Sequence, residues 1–157
     1  GLLEAARRAG VPVLHVAELA LSDGLSDSEA WARRRQGVGG AGRLAIEGSW
    51  GQQFLKGFDP LPDELVVNRY RPTSLSDTRA EVLLRSNGVR ALVVAGVETH
   101  LAVLATAVDA ACHDYTVIVP ADCVAGSLPE LHRTAMAILP VWSEMVNSRE
   151  IVQAWSA

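Results

Sequence analysis

Cysteine is scarce in this chain: among 157 residues only Cys112 and Cys123 carry a thiol, one inside a predicted helix and one just after a predicted strand. That placement makes neither a disulfide framework nor a metal-ligand spacing, and it points to a reducing, cytoplasmic compartment. Histidine is thin as well. His15 falls in a strand, His113 in a turn and His132 in mid-helix, and no two histidines share an i, i+4 or H-x-H spacing. Neither a metal nor a cofactor is therefore expected. Basic charge is not in surplus: the formal net charge is −4, and Arg33-Arg34-Arg35, followed by glycines, reads as a solvated helix end or an anion contact. No nucleic-acid partner is expected. Long apolar runs are missing too, which argues against a membrane partner. Aromatic residues make up 5% against 49% hydrophobic content, so the core is packed from Ala, Val and Leu.

Strands and helices alternate along what remains. One domain over residues 1–157 suits this length. Leu2 to Ala9 reads as a short helix closed by Gly10, and 11–16 as a strand. Leu19 to Ala45 is a polar excursion, long enough to cover a site, with a short helix over 27–35 capped by Ser26 or Asp27. Within it Gly37, Gly39, Gly40 and Gly42 lack the surroundings of a phosphate loop and read as flexible loop. Further strands are expected over 64–68, 89–95, 115–121 and 141–146. Helices between them run from Ser76 or Asp77 to Ser86, from the turn after Ala95 to His113, over 129–138 with Ser127 as cap, and over 149–155 with Ser148 as cap. This alternation predicts a three-layer, doubly wound α/β fold with a mostly parallel sheet. A helix that feeds the first visible strand also implies an earlier strand, expected before Gly1.

The most informative segment is Gly96-Val-Glu-Thr-His-Leu-Ala-Val103. It reads as a strand end, a tight turn and a helix start, and ligands collect at such places in parallel sheets. Val89 to Ala95 before it is an aliphatic run of the buried kind. After it, Leu101, Leu104, Ala105, Val108 and Cys112 fall at helical spacing and predict the core face. Ala102 stands where a nucleophile would be expected, and a methyl group cannot attack anything.

Together with Glu47-Gly-Ser-Trp-Gly51, Phe58-Asp-Pro-Leu-Pro-Asp-Glu-Leu-Val-Val67 and Val119-Pro-Ala-Asp122, this elbow resembles the isochorismatase-like superfamily of cysteine hydrolases. The resemblance runs from about Gly40 to the C-terminus and more loosely back to Gly1. It implies a Rossmann-like fold, hydrolysis of a small amide, urea-like or ether substrate, and a catalytic set of Asp, Lys and Cys. Ala102 falls on the Cys position and Arg69 on the Lys position, while the Asp belongs to a first strand expected upstream. In that family's sheet order the first strand lies between the strands at 11–16 and 89–95, so its absence would leave both without a shared neighbour. The resemblance also implies a cis peptide bond at Val97-Glu98 and a surviving cradle of backbone N–H groups at the turn. Arg69 can hold a carboxylate but cannot shuttle a proton near neutral pH.

The catalytic set is thus read as degenerate, and the domain as a pseudoenzyme of hydrolase descent. A cysteine-independent isochorismatase-type activity is the first alternative, since that branch also lacks the elbow thiol and His100 and Ala102 suit it. A noncatalytic partner of an active paralogue is the second. Candidate pocket residues are Trp50, Glu98, Thr99, His100 and Cys123. For Trp50 the choice is cleft lining or packing, and for Glu98 the cleft or solvent. Thr99 reads chiefly as a helix cap, His100 as a ligand contact or a structural residue, and Cys123 as a small buried hydrophobe or a substitute thiol. Cys112 is assigned to the core face. A small-molecule ligand and homo- or hetero-oligomers are the expected partners.

Overall fold

The β-branched runs Val66-Val67 and Val117-Ile-Val119 are short and apolar, the pattern of strands covered on both faces, and they form the backbone of the sheet. The computed structural model describes residues 1–37 and 45–156. In chain order its elements are α1 (Leu2–Arg8), β1 (Leu14–Glu18), α2 (Glu29–Gly37), β2 (Leu65–Arg69), α3 (Ala80–Ser86), β3 (Ala91–Val93) and β4 (Gly96–Val97). There follow α4 (Leu104–Cys112), β5 (Thr116–Pro120), β6 (Val124–Ala125), α5 (Pro129–Ile138), β7 (Glu144–Val146) and α6 (Ser148–Trp155).

All strand pairing is parallel among the described residues, as the alternation of elements predicts. β1 pairs with β2, in register from Leu14 opposite Leu65 to Glu18 opposite Arg69. A second block has the order β3-β5-β7, and β4 and β6 form a small pair beside the elbow. No described strand joins β1 to β3. Each therefore keeps one unpaired edge, and these are the two strands to which the family resemblance assigns a shared neighbour. Consistent with an open edge, Ala91 is exposed and Leu92 and Val93 are only half-buried, not enclosed as expected for 89–95.

The core runs through Val67, Leu75, Ala80, Val103, Ala107, Val117, Val119 and Leu139. α1 packs against α6, and α4 lies on β5. At the opposite end of β1 and β2 from their C-termini, Glu64 binds Arg7 Nε at 2.8 Å and His15 Nε2 at 2.7 Å, tying α1 to both strands. The Arg7 hydrogen bond holds the Glu64 carboxyl far below the usual range, against the opposing effect of burial.

Several local expectations change. The last strand starts at Glu144, because Leu139–Val141 turn into a 3₁₀ segment around Pro140. Ser148 does not cap α6; Asn147 does, in a reciprocal capping box with Glu150, and Ser148 instead binds Asp122. Ser127 is not the cap of α5, which Leu128 precedes with no side-chain cap, though Pro129 does open the helix. Neither Ser76 nor Asp77 caps α3, since the Ser76 hydroxyl is taken by Asp109, and Thr78 accepts from the Ala80 amide. At α2 the Ser28 hydroxyl, not Ser26 or Asp27, accepts from the Trp31 amide. The glycine-loop reading of Gly39, Gly40 and Gly42 lies outside the described residues.

The buried face of α4 is also rotated. Val103, Thr106, Ala107 and Ala110 are buried, whereas Leu101, Leu104, Ala105 and Val108 are half-buried and Cys112 is exposed. The two polar side chains of α4, Thr106 and Asp109, bond the loop after Arg69 and do not mark the solvent side. Thr99–Val103 is moreover a π-helical turn, whose extra residue per turn shifts the phase of α4 behind it.

Candidate functional site

Parallel pairing carries Glu18, Arg69, the elbow and Cys123 to the C-terminal ends of their strands, where crevices form in open α/β sheets. Gly96 takes a φ of 122°, which a side chain would resist, and the Val97-Glu98 peptide bond is cis, as the resemblance implies. The chain then enters the π-helical turn, in which the amides of Leu101 and Val103 both donate to the Glu98 carbonyl. Ala102 sits half-buried in that turn with nothing but a methyl group to offer.

Arg69 is 6% exposed and is already engaged. Its Nη1 donates to the carbonyls of Arg71 at 2.6 Å and Pro72 at 2.9 Å, and its Nη2 to Glu18 Oε2 at 2.9 Å. Burial lowers the pKa of the guanidinium and the charge of Glu18 raises it again, and an arginine stays cationic throughout. The chain's one lysine, Lys56, is exposed in the loop before β2.

Glu98 is half-buried and already engaged. Its Oε2 accepts from the Ser127 amide at 2.6 Å and lies 3.8 Å from His100 Nδ1. Gly126 makes that approach possible, because a Cβ there would come within 3.2 Å of His132 Cβ and 3.4 Å of both Glu98 Oε2 and His100 Nδ1. Thr99 is fully buried and its hydroxyl meets His132 Nδ1 at 2.9 Å. The expected cap is thus corrected: Glu98 is the N-cap residue, with no side-chain capping bond, and the Thr99 hydroxyl points into the α5 interface. His100 is half-buried, with Nδ1 enclosed and lacking a hydrogen-bond partner.

Trp50 is 80% exposed on a 3₁₀ turn, which removes the packing reading. Cys123 is half-buried, and burial together with the charge of Asp122 pushes its thiol pKa up, away from the thiolate a nucleophile needs. Among the described residues, no three His, Cys, Asp or Glu side chains are grouped to hold a metal, and no helix is long and apolar enough to cross a membrane.

Two features escape sequence reasoning. Glu18 becomes visible only through the β1–β2 register that sets it opposite Arg69. Asp109 on α4 accepts from the hydroxyls of Thr73 and Ser76 and from the Ser76 amide at 3.0 Å, while the Ser74 amide donates to Thr106 Oγ1 at 3.1 Å. These bonds pin the loop after Arg69 onto the elbow helix. A lone carboxylate in an apolar helix, with a Thr-Ser-Leu-Ser turn upstream, is the signal that could have found them.

Known proteins share this architecture. The family model described as the isochorismatase domain matches residues 1–147. A ureidoacrylate amidohydrolase RutB from Methylobacterium radiotolerans is 33% identical over 96 residues, which is 60% of this chain and 37% of that protein. The match thus spans well under half of that curated relative. An isochorismatase family protein from Desulfovibrio vulgaris superposes with a TM-score of 0.85 at 27% identity, covering 100% of this chain and 82% of the other. A cysteine hydrolase from Pseudomonas syringae pv. phaseolicola gives 0.86 at 20% identity over 99% and 76%, a likeness of fold alone.

Proposed function

The chain belongs to the isochorismatase family, and on that premise we propose that it is a hydrolase-type domain with its cysteine mechanism lost, keeping a small-ligand cleft at the strand ends. The observation that carries this reading is the occupancy of the two positions that would do the chemistry. Ala102 has no lone pair, and Arg69 is buried against Glu18 and two carbonyls, with no proton to give or take. Of the elbow amides, those of Leu101 and Val103 already donate to the Glu98 carbonyl, and what is left for an anion or a carbonyl oxygen is the N–H of Thr99 and His100 at the very start of the turn. The relative named for ureidoacrylate hydrolysis supports a small amide or urea-like ligand. Association with a second copy or a paralogue belongs to the same reading, supported by Val141 at 72% and Trp142 at 39% exposure.

The test is incubation with a panel of small amides and ureido acids, followed by intact-mass measurement after treatment with an electrophilic carbonyl probe. Neither turnover nor an adduct at the elbow is expected, and Ala102→Cys serves as the control that a thiol there can be labelled. Turnover, or an adduct on the unsubstituted elbow, overturns the reading.

A second reading rests on His100. Its enclosed, unpartnered Nδ1 beside Glu98 and next to the small Ala102 favours a cysteine-independent cleavage of the isochorismatase type. Loss of isochorismate that disappears in His100→Ala would support it over the first.

A further inference from the structure

Asp109 holds the loop after Arg69, and a histidine stands behind it. His113, half-buried at the end of α4, places Nδ1 2.8 Å from the Asp109 carbonyl oxygen and 3.3 Å from Asp109 Oδ1. From α3, Glu81 brings Oε1 to 3.6 Å from His113 Nε2, and Arg85 Nη2 lies 2.8 Å from that same oxygen. The ring therefore stands between two carboxylates carried by different helices. Asp114, next in the chain, lies in an exposed turn, and β5, on which α4 packs, carries no titratable side chain.

These partners settle where the ring's hydrogens sit. A carbonyl oxygen only accepts, so Nδ1 carries a hydrogen in either charge state. In the neutral imidazole Nε2 is then a bare lone pair that looks onto the Glu81 carboxylate, an acceptor against an acceptor. In the imidazolium both nitrogens donate, and the positive ring meets Asp109 on one side and Glu81 on the other. The geometry is that of the cation. Histidine is the side chain whose charge changes between pH 5 and 8, a range in which carboxylates are ordinarily ionised.

What the ring steadies reaches the candidate site. Asp109 accepts from the hydroxyls of Thr73 and Ser76 and from the Ser76 amide, and the residues just before them, Arg71 and Pro72, lend their carbonyls to Arg69. Burial raises the Asp109 pKa; against it act the bonds from Thr73 and Ser76 and the charge of His113, which leave the carboxyl below its usual range. A carboxylate that takes three hydrogen bonds from one loop grips that loop for as long as it stays charged and oriented.

We propose that His113 is a proton-operated brace: protonated, it ties Glu81 on α3 to Asp109 on α4 and stiffens the loop over 73–78. On loss of that proton Glu81 keeps only Arg85 of these two partners, and the loop loosens. The brace goes beyond the reading of the cleft and stands whether or not a ligand binds there.

Hydrogen exchange followed by NMR on the whole chain at pH 6 and pH 8 tests it, each rate being compared with the intrinsic rate at that pH to give a protection factor. The Ser76 and Thr78 amides, which donate to Asp109 and to the Leu75 carbonyl, are expected to lose about fivefold in protection from pH 6 to pH 8, while Val117 and Val119 in β5 keep theirs. In His113→Gln both loop amides are expected to show equal protection at the two pH values. Glu81→Gln leaves the ring in place and is expected to remove most of the difference. If His113→Gln loosens the whole fold, seen as lost protection at Val117 and Val119, Glu81→Gln decides. Equal protection of Ser76 and Thr78 at both pH values in the parent, a fall of the same size at Val117 and Val119, or a difference that survives intact in Glu81→Gln overturns the proposal.

Discussion

Glu18 and Arg69 face each other at the end of the β1–β2 ladder, joined by a 2.9 Å contact between Oε2 and Nη2. The pair explains how a cation sits 6% exposed at a position the family resemblance gives to a catalytic lysine. The guanidinium fork reaches two loop carbonyls through Nη1 and one carboxylate through Nη2, a spread of donors that the single nitrogen of an ammonium does not match.

Arg69→Met is therefore expected to cost about 3 kcal/mol, because it leaves Glu18 without its cation and two carbonyls without a donor. Arg69→Lys should recover less than half of that loss. Urea denaturation of both variants checks the expectation, and a Met variant as stable as the parent would refute the strut role.

Acid should weaken the fold through two carboxylates. Burial alone would raise the pKa of Asp109, but the hydrogen bonds from Thr73 and Ser76 outweigh it and leave the value lowered; Glu64 is lowered chiefly by Arg7. A folded-state pKa below the unfolded one gives stability that is complete above the unfolded value, about 4, and lost as pH falls through the folded value. Asp109→Asn is expected to cost about 1–2 kcal/mol at pH 7 and to flatten the acid limb of the stability curve. Denaturant titrations at pH 7 and pH 3 measure this, and an acid limb of equal slope in parent and variant contradicts it.

The open edges of β1 and β3 leave backbone donors and acceptors without ladder partners among the described residues. The 157-residue chain is accordingly expected to melt near or below about 45 °C, the low end for mesophilic domains. Scanning calorimetry provides the check. A reversible transition above about 65 °C would show that the interruption costs little.

Much of the fold was legible because its signals are local. Gly10 closes α1 with a φ of 68°, Pro129 opens α5, and short β-branched runs mark β2 and β5. The cis bond at Val97-Glu98 was legible through family likeness. What failed was whatever depended on a competitor distant in sequence. Ser76, Thr99 and Ser148 each have a hydroxyl suited to a helix cap, and each spends it on Asp109, His132 or Asp122. The phase of α4 failed because its two polar side chains, Thr106 and Asp109, are turned toward the loop after Arg69 and not toward solvent.

Composition and pattern determined the class of fold, the parallel sheet and the absence of a thiol at the elbow, since each arises from residue chemistry or from spacing within a few turns of chain. Only tertiary structure decided that Arg69 is a buried strut, that Glu18 and Asp109 matter, and that Arg71 reaches the Ser26 carbonyl. Those outcomes depend on which strands lie side by side and which loops fold back on them, and contacts between residues some forty or fifty positions apart leave no mark on the segments that make them.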